Sequence, residues 1–119
     1  MTNDRRKRRS ALRDEAAKLY LKSLARRMGL RAVAVADLHG FLVAGAGDEA
    51  LLEPLAAAGA LNSEPGAPWR EFVREFAEPG EFSCTPIDLG GLSLCVAALG
   101  DTAVSAQDVG VALCRILLN

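Results

Sequence analysis

The spacing of apolar positions switches along the chain between a helical period and a strand period, and the switches set out its elements. Leu12, Ala16, Leu19, Leu24 and Met28 follow a period near 3.6, with Tyr20 and Leu21 widening the stripe. Ser10 stands where an N-cap is wanted, Asp14 and Glu15 fall in the first turns, and Gly29 follows Arg26 and Arg27 as a C-cap. The pattern predicts a helix over 11–28. The run from Arg31 to Gly47 then reads strand, tight turn, strand. Its first half is apolar at nearly every position, which predicts a strand covered on both faces. Asp37 and Gly40 bracket the turn, and Gly45 and Gly47 are expected to release the chain from the sheet.

Helical spacing returns at Asp48 and Glu49, through Leu51, Leu52 and Leu55 to the small residues Ala56–Ala60. Pro54 interrupts it. Either the helix bends there or it begins there, and apolar spacing that continues through Pro54 favours one bent helix. Residues 62–68 are a loop by composition. Trp69, Phe72, Val73 and Phe76 fit i, i+3, i+4, i+7 and predict a short helix, 68–77, ended by Glu78-Pro79-Gly80. A second hairpin, 82–87 and 92–99, turns around Asp88-Leu89-Gly90-Gly91. Pro86 cannot donate to a ladder, so its strand belongs at an edge, whereas 92–99 is apolar on both faces and belongs in the centre beside 32–37. Ser105 caps a last helix buried through Val109, Ala112, Leu113, Ile116 and Leu117, with Asp108 completing a box-like cap. The fold class is α+β: a single antiparallel sheet of four to five strands with helices on both faces, in the order α-β-β-α-(α or β)-β-β-α.

Composition adds one domain of 119 residues, half of them apolar. No apolar run reaches the length of a membrane span, and no signal peptide is recognisable. Three cysteines without CxxC spacing speak against a disulfide framework or a zinc site and for a reducing cytoplasm. The net charge of −1 conceals an asymmetry, because Arg5, Arg6, Lys7, Arg8 and Arg9 form one run. Taking that run and Asp4 from 14 basic and 15 acidic residues leaves nine and fourteen, a charge of −5 on the remainder. The division is therefore a basic flexible arm, 1–9, and a domain, 10–119. The arm is either a polyanion-binding segment or a solubilising tail.

Candidate chemistry is sparse. His39 is the single histidine and sits in a turn, so neither a catalytic triad nor a four-ligand zinc site can be assembled. Gly45-Ala46-Gly47-Asp48 before a helix superficially suggests a phosphate loop. It lacks the lysine and hydroxyl, and Asp48-Glu49 would repel phosphate. With Ile87 opposite Leu92, Cys84 would lie opposite Cys95 as a pair of small hydrophobes, with no base nearby to activate either thiol. Glu71, Glu75, Glu78 and Glu81 alternate with Arg70 and Arg74 as a solvated face. No catalytic residue, cofactor or metal is expected.

The stretches Ala34-Val35-Ala36-Asp37-Leu38-His39-Gly40-Phe41-Leu42-Val43-Ala44 and Leu92-Ser93-Leu94-Cys95-Val96-Ala97-Ala98-Leu99-Gly100, in this order of elements, resemble the roadblock/dynein-light-chain family and its longin- and profilin-like relatives. The resemblance covers roughly 11–118. It implies a small non-enzymatic homodimer that binds or regulates a Ras-like small GTPase, in bacteria often within polarity or motility systems. The family carries a dimer-building strand where 68–77 reads as helix. A partner surface is accordingly expected on Ala56, Ala57 and Gly59, whose small side chains permit close approach, together with Trp69 and Phe72. Two other classes stay open: a PAS- or GAF-like small-molecule sensor with a cavity beside the alanine-rich helix, and a nucleic-acid-associated factor acting through the arm.

Overall fold

The computed structural model describes residues 2–62, 69–78, 80–101 and 104–117, and among these the side chains of all but 2–12, 69, 70 and 106. Four helices and four strands follow in the order α1 (Thr2–Met28), β1 (Ala32–Asp37), β2 (Leu42–Gly47), α2 (Glu49–Asn62), α3 (Trp69–Val73), β3 (Phe82–Leu89), β4 (Leu92–Leu99) and α4 (Ala106–Leu117). The strands form one antiparallel sheet in the order β2-β1-β4-β3. The two strands that are apolar on both faces, β1 and β4, are therefore central and adjacent, and the strand with Pro86 is at an edge. Counting by twos from the closing pair Leu89↔Leu92, Pro86 falls in a pair whose backbone amides point away from β4, so its missing N–H leaves no gap in the ladder.

Strand alternation divides the sheet into two unlike faces. Val33, Val35, Ile87, Leu89, Leu94 and Val96 point to one side and pack with Ala17, Leu21 and Leu24 of α1 and with Val109 and Leu113 of α4. Ala32, Ala34, Ala36, Cys95, Ala97 and Leu99 point to the other, where Leu55 and Ala56 of α2 cover them. The alternation Ala-Val-Ala-Val-Ala along β1 thus makes a bulky face under two helices and a small-residue face under one.

Several boundaries differ from the sequence reading. The first helix begins at Thr2, so the backbone of 2–9 is helical rather than coil, and Ser10 lies inside the helix instead of capping it. Arginine and lysine have good helix propensity, and no glycine or proline separates them from the apolar stripe, so the helix propagates into the basic run. The buried stripe of α1 is Ala17, Leu21, Leu24 and Ala25, flanked by half-buried Tyr20 and Met28, whereas Ala16 and Leu19 are exposed. Strand β2 runs through both glycines, Gly45 pairing with Ala34 and Gly47 with Ala32. A side chain on Gly47 would come within 2.5 Å of the Arg31 carbonyl oxygen, so close packing on β1, not release from it, requires glycine there.

Helix α2 continues through Pro54 as one element, and it starts at a cap: the Asp48 carboxylate accepts the Ala50 amide at 3.2 Å. The short helix exists but is five residues long, Trp69–Val73, with turns following it. Among the described residues no fifth strand joins the sheet. The 63–68 part of the expected loop, Pro79 of its terminator, and the side chains of Leu12, Trp69 and Arg70 lie outside the described residues. Ser105 caps α4 as expected, its Oγ accepting the Asp108 amide at 3.3 Å.

The second hairpin is tighter than its composition suggested. Gly90 and Gly91 both have positive φ, 61° and 89°, and form a two-residue turn of the type whose twist matches the strands. Ile87 consequently pairs with Leu94, Cys84 with Ala97 and Pro86 with Cys95. The two cysteines are diagonal, not opposite, and still share a face.

Candidate protein-binding surfaces

The small residues of α2 are used within the chain. Ala56 is fully buried against Ala36 and Cys95. A Cβ on Gly59 would stand 2.7 Å from the Cys95 sulfur and 3.5 Å from Ala97 Cβ. The helix backbone therefore rests directly on the small-residue face of the sheet, and a methyl at Gly59 has no room. The glycine and alanine content makes a close contact here instead of the cavity that a ligand-binding sensor would need. Ala57 is half-buried, and its Cα lies 3.5 Å from where a Gly40 Cβ would be, so it props the β1–β2 turn. Of the three α2 residues expected at a partner surface, Ala57 alone retains appreciable exposure.

The β1–β2 turn is organised by Asp37, whose carboxylate accepts the amides of His39 at 2.8 Å and Phe41 at 3.0 Å. Gly40, at φ 88°, completes it. His39 is exposed in this turn. Among the described residues no group of three His, Cys, Asp or Glu side chains could hold a metal ion.

Cys84 and Cys95 meet beneath Gly59. The Cys84 thiol also reaches the Gly59 carbonyl at 3.9 Å. Its hydrogen bond to Cys95, and then burial, push the Cys84 thiol well above the ordinary thiol range. The same hydrogen bond lowers the Cys95 thiol, but Cys95 is sealed beneath Gly59 at 1 % exposure, out of reach of a substrate, so the pair is core.

Phe72 is half-buried and meets Phe76 edge to face, with ring centres 5.6 Å apart. Phe76 in turn packs on the Leu55–Leu99 cluster. Arg31 holds the segment after α3 to the sheet, donating to the Phe76 carbonyl at 2.6 Å and pairing with Glu81 at 2.5 Å. The side chains of Arg5, Arg6, Lys7, Arg8 and Arg9, like that of Trp69, lie outside the described residues.

Two surfaces emerge that sequence reasoning did not single out. At one end of the sheet Leu38 and Phe41 are 51 % and 70 % exposed. The pairing of Asp37 with Leu94 brings Leu92, also exposed, to that same end. The second surface is a groove of about 770 Å³ along the outer edge of β2. Lys18, Lys22 and Arg26 of α1 line one bank, and Glu49 and Glu53 of α2 the other. The signal for it was present in the four-residue spacing of these charges. Only the topology, with β2 at an edge between the two helices, turns that spacing into a groove.

No helix among the described residues is long and apolar enough to cross a membrane. Comparison with protein-family models gives no match, and comparison with curated proteins gives none. Comparison with solved structures finds MglB of Myxococcus xanthus, at 16 % sequence identity and a TM-score of 0.57, over 87 % of this chain and 89 % of that one. A likeness spanning nearly the whole of both chains, with the sheet order and helix layers described above, gives this protein a roadblock-like fold.

Proposed function

We propose that this chain is a non-enzymatic regulatory module that acts by protein–protein binding, working as a homodimer on a Ras-like small GTPase in the cytoplasm. The observation that carries the reading is the near full-length likeness to MglB, a roadblock/longin-like GTPase-regulating protein. The exposed Leu38, Phe41 and Leu92 at one end of the sheet support it, because apolar side chains gathered on a rigid edge are what a protein partner covers.

The test is binding of the purified chain to small GTPases of its own host, each loaded with GDP or a non-hydrolysable GTP analogue. Nucleotide-dependent binding to one of them is expected, weakened at least tenfold by Phe41→Glu. Absence of nucleotide-dependent binding to every GTPase of the host would refute the GTPase reading.

A further inference from the structure

We infer that the groove along β2 is a strand-addition site for an extended peptide carrying acidic residues at every second position. Three features of the groove carry this, and none depends on the GTPase reading above.

The floor offers a backbone. Among the described residues strand β2 has one neighbour, β1, so alternate N–H and C=O groups along Leu42–Gly47 point outward without a ladder partner there. Its side chains there are Ala44, Gly45, Ala46 and Gly47, too small to fence the edge off. Leu42 and Val43, at one end of the strand, are exposed apolar anchors.

The banks offer charge of opposite sign on opposite faces. Ala44 and Ala46 of β2 belong to the face under α1, and Gly45 lies against Leu52 of α2. A peptide strand laid beside β2 would therefore send successive side chains alternately toward α1 and α2. Toward α1 they would meet Lys18, Lys22 and Arg26; toward α2, Glu49 and Glu53. All five side chains are exposed, and among the described residues none is paired within the chain.

The spacings match. Residues four apart on a helix are separated by about 6 Å along its axis. Residues two apart on a strand are separated by about 6.6 Å. Three cations at i, i+4 and i+8 can thus face three acids at j, j+2 and j+4 of one extended segment.

The same charges disfavour a second copy as the occupant. Antiparallel pairing of β2 with β2 of another copy, about a two-fold axis normal to the sheet, would set α1 beside α1 and its cations against their own counterparts. The favoured occupant is a different segment, acidic toward α1 and basic or small toward α2, added as a fifth strand.

The experiment pans a displayed library of random ten-residue peptides against the full chain. Binders with acids at alternate positions are expected. One binder, made synthetically, should shift the amide resonances of 42–47, and methylation of its backbone nitrogens on the edge facing β2 should abolish binding. The triple variant K18E/K22E/R26E should bind it at least tenfold more weakly, and should bind instead the peptide in which each acid is replaced by lysine. That rescue separates lost charge complementarity from lost folding. The inference is overturned if no binders emerge, if their acids follow helical three- and four-residue spacing, or if binding is unchanged in the triple variant. It is also overturned if isotope-filtered NMR on the dimer shows residues 42–47 of one copy paired with 42–47 of another.

Discussion

Gly59 of α2 and Cys95 of β4 lie so close that a Cβ on the glycine would stand 2.7 Å from the cysteine sulfur. This contact sets how deeply α2 sits on the sheet. Alanine at 59 would gain up to about 1 kcal/mol in helix propensity. Overpacking a filled core costs about 1–3 kcal/mol, and the sulfur is buried and has nowhere to go. Gly59→Ala is expected to destabilise on balance, and Gly59→Val to cost more than about 2 kcal/mol. In a Cys95→Ala background the Gly59→Ala penalty should shrink by about 1 kcal/mol. Urea unfolding of the four species checks this, and additive effects would show that the close approach is not what excludes a side chain.

The thiols predict an alkaline limit. Cys84 has its pKa raised in the fold by its hydrogen bond to Cys95 and by burial, and Tyr20 has its own raised by burial. For each, the stabilisation is complete below the unfolded value, near 9.0 for the thiol and 10.0 for the phenol. It is lost as pH rises beyond that, because the unfolded chain ionises first. Unfolding free energy should fall above pH 9, modestly because solvent screens both half-exposed groups, and less steeply in Cys84→Ala. Timed alkylation at pH 8 followed by mass spectrometry should modify exposed Cys114 well before Cys84 or Cys95.

The first hairpin depends on one carboxylate. Asp37→Ala removes the acceptor for the His39 and Phe41 amides and should cost about 1–2 kcal/mol. Asp37→Asn, which keeps one acceptor oxygen, should cost less. Equal losses in thermal unfolding would mean that charge, not the turn geometry, is what the residue contributes.

Much of this architecture can be read from residues alone, and the failures have identifiable causes. β1 and β4 announce themselves as central because both of their faces are apolar, and Pro86 marks β3 as an edge. Register is harder: Asp88-Leu89-Gly90-Gly91 reads as a four-residue turn, yet two successive glycines at positive φ close it in two, which moves Cys84 from opposite Cys95 to diagonal. The α1 start was missed because a run of arginines looks solvated whether it is coil or helix. On α2, the sequence shows that Ala56 and Gly59 permit close approach without saying to what, and the approaching surface is the chain's own sheet. The β2 groove depends on three elements converging, and no local pattern contains that.

The proposed homodimer would use the outer side of α2 around Ala57 with an adjoining element of the 61–80 region, including Trp69 and Phe72. Light scattering at micromolar concentration should give twice the mass of one chain. Ala57→Arg and Trp69→Glu, made separately, should each return the monomer while circular dichroism stays helical. A monomeric wild type would remove the proposal, because a two-fold interface doubles the effect of each substitution only if the interface exists.

The basic run yields its own expectation. If Arg5, Arg6, Lys7, Arg8 and Arg9 bind a polyanion, deletion of 1–9 should abolish retention on heparin and leave the fold of the domain intact. Affinity for duplex DNA should fall with salt by about 0.9 in log–log slope per neutralised phosphate. Unchanged heparin retention after the deletion would reject the run as a binding segment.

The two unlike faces of the sheet bear on how this sequence is free to diverge. Beneath α1 and α4, valine, isoleucine and leucine can replace one another, because flexible side chains on the facing helices can readjust. Beneath α2 the gap is set by the close approach of the helix at Gly59 and by the small side chain of Ala56, which leave little room to readjust. A saturation scan of β1 and β4 should therefore give a tolerance profile that alternates residue by residue: permissive at Val33, Val35 and Val96, closed to anything larger at Ala34, Ala36 and Ala97. Lineages of this protein would then drift on one side of the sheet and stand still on the other.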